Sequence, residues 1–246
     1  MYLIFVGSAG NDGECGCIAH RSFSGLLRSD VTCLECGFSS TAYDPCIDIS
    51  LDLEPVGSII SNGTGSCSNH YQMAALDWTT LYGCLDRFTR LEKLGLDQKF
   101  YCENCKIPQE SVKQMSLCKL PQVLCLHIKR FEHSHVRNMS RKIDRYVQFP
   151  FNLDMAPYMS SCIVRLRHGN RLGLFDGEQT GPAEYELFAV VSHSGKLDSG
   201  HYITYLHLGL YWYRCNDSWI SRVSNDVVRT TQAYMLYYVR KAFTSH

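Results

Sequence analysis

Cys33-Leu34-Glu35-Cys36-Gly37 is answered far downstream by Cys102-Glu103-Asn104-Cys105. Two residues between paired cysteines let both sulfurs of a tight turn point at one ion, and Gly37 lets the turn's amides approach the thiolates. Residues 37–101 separate the pairs, too many for a compact zinc finger, so a shared ion would staple two hairpins distant in the chain. Cys33, Cys36, Cys102 and Cys105 therefore read as ligands of one structural Zn2+; reduced core cysteines are the competing reading. A second set, Cys15, Cys17 and His20 in Cys15-Gly16-Cys17-Ile18-Ala19-His20, offers three ligands for another metal without an evident fourth.

With 246 residues, 45% hydrophobic and 12% aromatic, the chain can bury a sizeable core. Lys plus Arg is 24 and Asp plus Glu is 24, so net charge argues for neither nucleic acid nor a membrane surface as partner. The apolar opening Tyr2-Leu3-Ile4-Phe5-Val6 is too short for a signal core or a membrane span. Thirteen cysteines, an odd number without a secretory signal, favour metal ligation over a disulfide framework and predict a reducing compartment.

Residues 1–20 read as an irregular N-terminal segment. Short strands follow from Phe23 to Leu53, with Ile47, Ile49, Leu51 and Leu53 alternating against polar neighbours, and they place the first cysteine pair at a strand-to-strand turn. Residues 54–78 have no period and read as an insertion. Thr80 caps a helix with Leu81, Cys84, Leu85, Phe88 and Leu91 on one face, ending near Gly95. Residues 99–119 are strand-rich around the second cysteine pair, and Val123 to Phe131 is an apolar central strand. Residues 159–183 read as a second surface insertion. The last block is strand Tyr185–His193, loop Ser194–Gly200, strands His201–Leu208 and Leu210–Cys215, helix Asp226–Thr231 and strand Ala233–Arg240.

His201 opens a strand after Ser199-Gly200, and a glycine there keeps the approach to its ring open to another backbone. The next strand ends in Cys215-Asn216-Asp217-Ser218, so a hairpin brings Asn216 or Asp217 to the imidazole, to fix its tautomer and stabilise its charged form. On these residues alone, a structural histidine and an ordinary turn compete with that reading. His193, one loop earlier, is a rival base that reads as a loop anchor. A zinc hydrolase built on His193 and His201 is weaker, lacking the close spacing of a catalytic metal site. Cys125 and Cys215 read as packing residues, since neither sits at a helix N-terminus that would lower its pKa.

Phe23-Ser24-Gly25-Leu26-Leu27 through the first cysteine pair, Asp44-Pro45-Cys46-Ile47-Asp48-Ile49-Ser50-Leu51, Tyr101 through the second pair, Leu120-Pro121-Gln122-Val123-Leu124-Cys125-Leu126-His127-Ile128-Lys129-Arg130-Phe131, Ser199-Gly200-His201-Tyr202 and Asn216-Asp217-Ser218 stand in one order. In that order they resemble the ubiquitin-specific protease family of thiol deubiquitinases. The resemblance implies an α+β, papain-like cysteine protease fold, with residues 21–246 as the C-terminal portion of its catalytic domain: fingers and palm present, thumb mostly missing. It implies that His201 is the general base, Asn216 its orienter and Asp217 an assistant, with Gly200 and Tyr202 beside the channel for the ubiquitin tail. The four-cysteine zinc would sit at the tip of the fingers that grip ubiquitin. A cysteine thiolate would attack the carbonyl of ubiquitin's last glycine, cleaving the isopeptide bond, and water would release the acyl-enzyme.

Within the family the chain is most similar to the branch of SAGA-type transcriptional coactivators, by Cys15 to His20, Arg130-Phe131-Glu132-His133 and Asn152-Leu153-Asp154-Met155-Ala156-Pro157-Tyr158. That branch implies a nuclear protein, with the cytoplasm as an additional location, acting on a histone conjugate beside coactivator subunits. The family's nucleophile box lies well upstream of the first zinc pair, whereas Gly10-Asn11-Asp12-Gly13-Glu14-Cys15 matches it only superficially. The expectation is an incomplete chain, inactive alone; the alternative is a non-catalytic zinc-stabilised module that binds ubiquitin or a complex partner.

Overall fold

The computed structural model describes residues 16–53, 80–134, 139–168 and 182–241; Cys15 and the expected insertion at 54–78 lie outside the described residues. The strands are β1 (Gly25–Cys33), β2 (Ser39–Cys46), β3 (Ile49–Asp52), β4 (Glu92–Lys93), β5 (Phe100–Cys102), β6 (Ile107–Gln109), β7 (Ser111–Lys119) and β8 (Val123–Lys129). They continue as β9 (Phe131–Ser134), β10 (Met139–Lys142), β11 (Asn152–Asp154), β12 (Glu184–Gly195), β13 (Gly200–Leu208), β14 (Tyr211–Asn216), β15 (Trp219–Val223) and β16 (Ala233–Arg240). Helices are α1 (Ile18–Phe23), α2 (Leu81–Thr89), α3 (Ser160–His168) and α4 (Asn225–Arg229).

Two sheets carry the architecture. An eight-stranded sheet runs β15-β14-β13-β12-β16-β8-β3, with β11 also on β12, and is antiparallel except where β3 lies parallel to β8. Leu124, Leu126 and Ile128 of β8, Tyr185, Leu187 and Val190 of β12, and Leu236 and Tyr238 of β16 are all buried in its core. Each such side chain contributes about 1.5–3 kcal/mol of apolar burial. The two buried phenols keep their polar ends satisfied: Tyr185 Oη donates to the Pro121 carbonyl at 2.5 Å and Tyr238 Oη to that of Pro150 at 2.8 Å. A four-stranded antiparallel sheet, β2-β1-β7-β4, carries the first cysteine pair at the β1–β2 turn. Its buried carboxylate, Asp30, accepts from Arg28 Nε at 3.0 Å and Thr41 Oγ1 at 2.6 Å.

Arg130 ties the β8–β9 junction to its surroundings. Only 1% exposed, it donates through Nε to the Ala233 carbonyl at 2.6 Å and through Nη1 to those of Ile143 and Arg145 at 3.1 and 2.6 Å. Burial pulls its pKa down to about 10, which leaves it cationic at neutral pH.

Three expectations change. The predicted helix near 80 begins as expected, with Thr80 Oγ1 accepting from Gly83 N at 3.1 Å and Leu81, Cys84 and Leu85 buried. It ends at Thr89 rather than near Gly95, because the Gln114 side chain takes the Thr89 carbonyl at 2.8 Å and the chain turns into β4, leaving Leu91 exposed. Part of the expected insertion 159–183 is α3, which buries Ser160, Ile163 and Val164 against the sheet side that carries β7. Its opening Ser160-Ser161-Cys162 dilutes the apolar period in the sequence. The N-terminal segment ceases to be irregular at Ile18, where α1 begins after Cys17.

Candidate active site and metal centre

The two cysteine pairs sit in matching turns. In the first, between β1 and β2, Gly37 N donates to the Cys33 carbonyl at 3.0 Å with Gly37 at φ 73°. In the second, between β5 and β6, Lys106 N donates to the Cys102 carbonyl at 2.7 Å with Lys106 at φ 62°. Glycine takes that left-handed conformation without cost, whereas Lys106 bears a small penalty that the second turn must hold in place.

The four sulfurs of Cys33, Cys36, Cys102 and Cys105 lie within 4.8 Å of one another, and those of Cys36 and Cys102 are 3.5 Å apart. Zinc–sulfur bonds of about 2.3 Å set tetrahedral sulfurs about 3.8 Å apart, so the donor set suits such an ion. Asn104 and the Phe38 amide donate to Cys36 and hold its pKa down to about 6, while Cys105, whose thiol donates to the Cys36 sulfur, is pushed up to about 12. One thiolate is thus readily formed and the next resisted, the repulsion that a divalent cation removes. Asn104, inside the second pair, is a supporting residue that ligand spacing alone did not single out. Of the second expected set, Cys17 Sγ and His20 Nδ1 meet at 3.0 Å across the first turn of α1.

His201 lies near the start of β13 and Asn216 at the end of β14, neighbouring strands in register from Thr204↔Cys215 to Leu208↔Tyr211. Both residues stand at the open end of this hairpin, where His201 Nε2 and Asn216 Oδ1 are 2.5 Å apart. The amide oxygen only accepts, so Nε2 carries the proton and Nδ1 keeps a free lone pair able to take a proton. Asp217 makes no such bond. It occupies the β14–β15 turn at φ 50°, a conformation aspartate tolerates, and of the two expected orienters Asn216 is the one brought to the ring.

Gly200 and Tyr202 flank His201, and Tyr202 is exposed. The neighbour that makes glycine necessary at 200 is internal: a Cβ there would lie 1.9 Å from His193 Nε2 and 2.7 Å from the Ser194 carbonyl oxygen. Among the described residues no cysteine hydrogen-bonds the His201 ring. Cys125 is buried in β8 and burial raises its pKa to about 11, while Cys215 is half-buried in β14; both occupy packing positions. A cavity of about 410 Å³ lined by Tyr146, Phe149, Phe151 and Arg229 includes none of these residues.

A family model described as ubiquitin carboxyl-terminal hydrolase matches residues 7–238. The chain belongs to that family. Ubiquitin C-terminal hydrolase 22 of Arabidopsis thaliana is 52% identical over 240 residues, covering 93% of this chain and 42% of that protein. Human ubiquitin carboxyl-terminal hydrolase 27 is 41% identical over 244 residues, covering 94% and 53%. Among solved structures, the SAGA Ubp8/Sgf11/Sus1/Sgf73 DUB module bound to ubiquitin aldehyde contains a chain that matches at TM-score 0.72 and 33% identity, over 94% of this chain and 44% of that one. The chain spans about half the length of the curated relatives it matches. The expected α+β, papain-like fold of the ubiquitin carboxyl-terminal hydrolases is borne out. Within it the four-stranded sheet with its cysteine cluster forms the fingers and the eight-stranded sheet the palm.

Proposed function

We propose that this chain performs the base half of thiol deubiquitination, cleaving the isopeptide bond after the C-terminal glycine of ubiquitin. The His201–Asn216 couple carries the reading, because it leaves Nδ1 as the one ring nitrogen able to take a proton. His201 Nδ1 removes the proton of a cysteine thiol, the sulfur adds to the glycine carbonyl, and the C–N bond breaks as Nδ1 returns the proton to the leaving lysine amine. Water then adds to the thioester with Nδ1 again taking a proton, and the thiol is regenerated. The thiol itself comes from outside the described residues. Asn216 keeps the ring in this tautomer and steadies the imidazolium, and Asp217 holds the turn that presents Asn216.

Cys33, Cys36, Cys102 and Cys105 hold a structural zinc; when bound it supplies cross-linking of the two finger hairpins and no chemistry at the scissile bond. The gripped ligand is ubiquitin's globular body. Likeness at 33% identity to a SAGA DUB module that contains Sgf11, Sus1 and Sgf73 supports partner subunits of that kind, and we propose with it the nuclear role on a histone conjugate that the resemblance implies.

The test is titration of residues 1–246, loaded with zinc, with ubiquitin and with ubiquitin lacking its last two glycines, followed through the ring signals of His201 and Tyr202. Intact ubiquitin is expected to move both sets and the truncated form to leave His201 unmoved. Equal effects of the two forms, or none, would contradict the assignment. The second reading, a zinc-stabilised module that binds ubiquitin without cutting it, is favoured by one observation: no described cysteine hydrogen-bonds His201.

A further inference from the structure

His193 has no place in the chemistry above, yet the structure is built around its ring. The residue is 6% exposed and its Nδ1 is buried without a hydrogen-bond partner among the described residues. A histidine retained for hydrogen bonding would not be left in that state. Its surroundings are ring faces instead: Tyr202 at 4.7 Å, Phe131 at 5.6 Å and Tyr234 at 5.7 Å between centroids.

The ring bears directly on the backbone that delivers the base. β12 and β13 pair with His193 opposite Tyr202, Ser194 opposite His201 and Gly195 opposite Gly200. At the end of this ladder Gly195 has φ +113°, and a Cβ on it would lie 2.6 Å from the Ser199 carbonyl oxygen and 2.8 Å from the Gly200 Cα. Gly200 in turn has no room for a Cβ because the His193 imidazole is there, with Nε2 at 1.9 Å and Cδ2 at 2.8 Å from where it would stand. Two glycines and one ring thus fix where β13 starts, one residue before His201. Lys142 pins the far side, its Nζ donating to the His193 carbonyl at 2.8 Å.

We propose that His193 is a positioning residue for the base: its ring is a wedge against the Gly200 backbone that sets the strand start, and so carries the His201 imidazole to Asn216. This rests on the reading of His201 as the base. The groups facing the wedge are Lys142 on β10, Asp144 just beyond it, Tyr202 on β13 and Tyr234 on β16. No acceptor among the described residues meets Nδ1, so the ring serves in its neutral form; burial, then the nearby Lys142, lowers its pKa from the ordinary 6.5.

Nitrogen-15 spectra of the histidine rings in residues 1–246, in wild type, His193→Phe and His193→Ala at pH 8, test the assignment. Wild type and His193→Phe, which keeps a ring against Gly200, are expected to show His201 with its proton on Nε2. His193→Ala is expected to shift the His201 tautomer ratio several-fold toward that of a free imidazole while circular dichroism stays native. A folded His193→Ala chain with the wild-type ratio would overturn the proposal. If His193→Ala fails to fold, His193→Phe decides: a native tautomer ratio supports the wedge and a lost one removes it. A wild-type His201 protonated on Nδ1 would instead count against the base assignment, and the response of its signals to His193→Ala would still report on the wedge.

Discussion

His201 Nε2 donates to Asn216 Oδ1 at 2.5 Å from the open end of a hairpin whose other end is packed into the core through Trp212. An exposed bond of this kind adds little to the fold, since a net intramolecular hydrogen bond is worth about 0.5–1.5 kcal/mol and less where water competes. Its position is chemical: it selects which nitrogen is basic. Asn216→Ala is therefore expected to change the unfolding free energy by about 1 kcal/mol or less, while freeing the ring to populate both tautomers. Urea unfolding read beside ring NMR checks this, and a loss of several kcal/mol would recast the pair as structural.

Arg130 presents the opposite case. Its removal strands the buried carbonyl of Ala233 and the half-buried carbonyls of Ile143 and Arg145. Leaving buried acceptors unpaired costs about 1–3 kcal/mol each before relaxation, so Arg130→Ala is expected to lose about 3 kcal/mol or more, and Arg130→Lys, with one donor head in place of a fork, to recover part of it. Equilibrium denaturation gives the answer directly.

The four-sulfur cluster leads to a count. Native mass spectrometry is expected to find one zinc per chain held by Cys33, Cys36, Cys102 and Cys105, and Cys36→Ala to lose it. Chelation is expected to lower the melting temperature by loosening β1, β2, β5 and β6, because binding energy at such a site is folding energy. Retention of the ion by Cys36→Ala would contradict the ligand set.

Acid stability follows from the buried His193 and the half-buried His127. Both have pKa values lowered from 6.5 by burial, His193 further by Lys142 and His127 further by Lys129. Between 6.5 and the lower folded values the unfolded chain binds more protons than the folded one, so stability rises with pH across that window and is lost as the pH falls through it. Denaturation midpoints between pH 5 and 7.5 are expected to climb with pH, and His193→Phe to flatten the slope.

Catalytic turnover tests whether residues 1–246 hold a nucleophile for His201. Because no described thiol hydrogen-bonds His201, residues 1–246 alone are expected to leave a fluorogenic ubiquitin C-terminal amide uncut. Turnover that disappears in Cys15→Ala would reverse this and place the nucleophile at Cys15.

What the sequence disclosed depended on chemistry that leaves a local signature. The paired cysteines, the Thr80 cap and the burial of Ile49, Leu51 and Leu53 each act through neighbours in the chain and appear where expected, whereas Ile47, expected to alternate with them, is exposed between β2 and β3. β15 escaped notice because Trp219 and Ile220 are exposed on opposite faces of an edge strand, so no inside-outside alternation marks it. The end of α2 depends on Gln114, twenty-five positions downstream of Thr89, which no window of sequence contains. The choice between Asn216 and Asp217 turned on the twist of one hairpin, and the need for glycine at 200 on a ring from the neighbouring strand. Both are tertiary facts with no local pattern.

Ring-nitrogen spectroscopy of His201 in wild-type residues 1–246 reaches the base directly, without a partner or a thiol. The expected spectrum has Nε2 protonated and Nδ1 as a bare acceptor nitrogen, held there by Asn216. A ring protonated chiefly on Nδ1, or one averaging freely between the two forms, would mean that this imidazole is not poised to take a proton from sulfur.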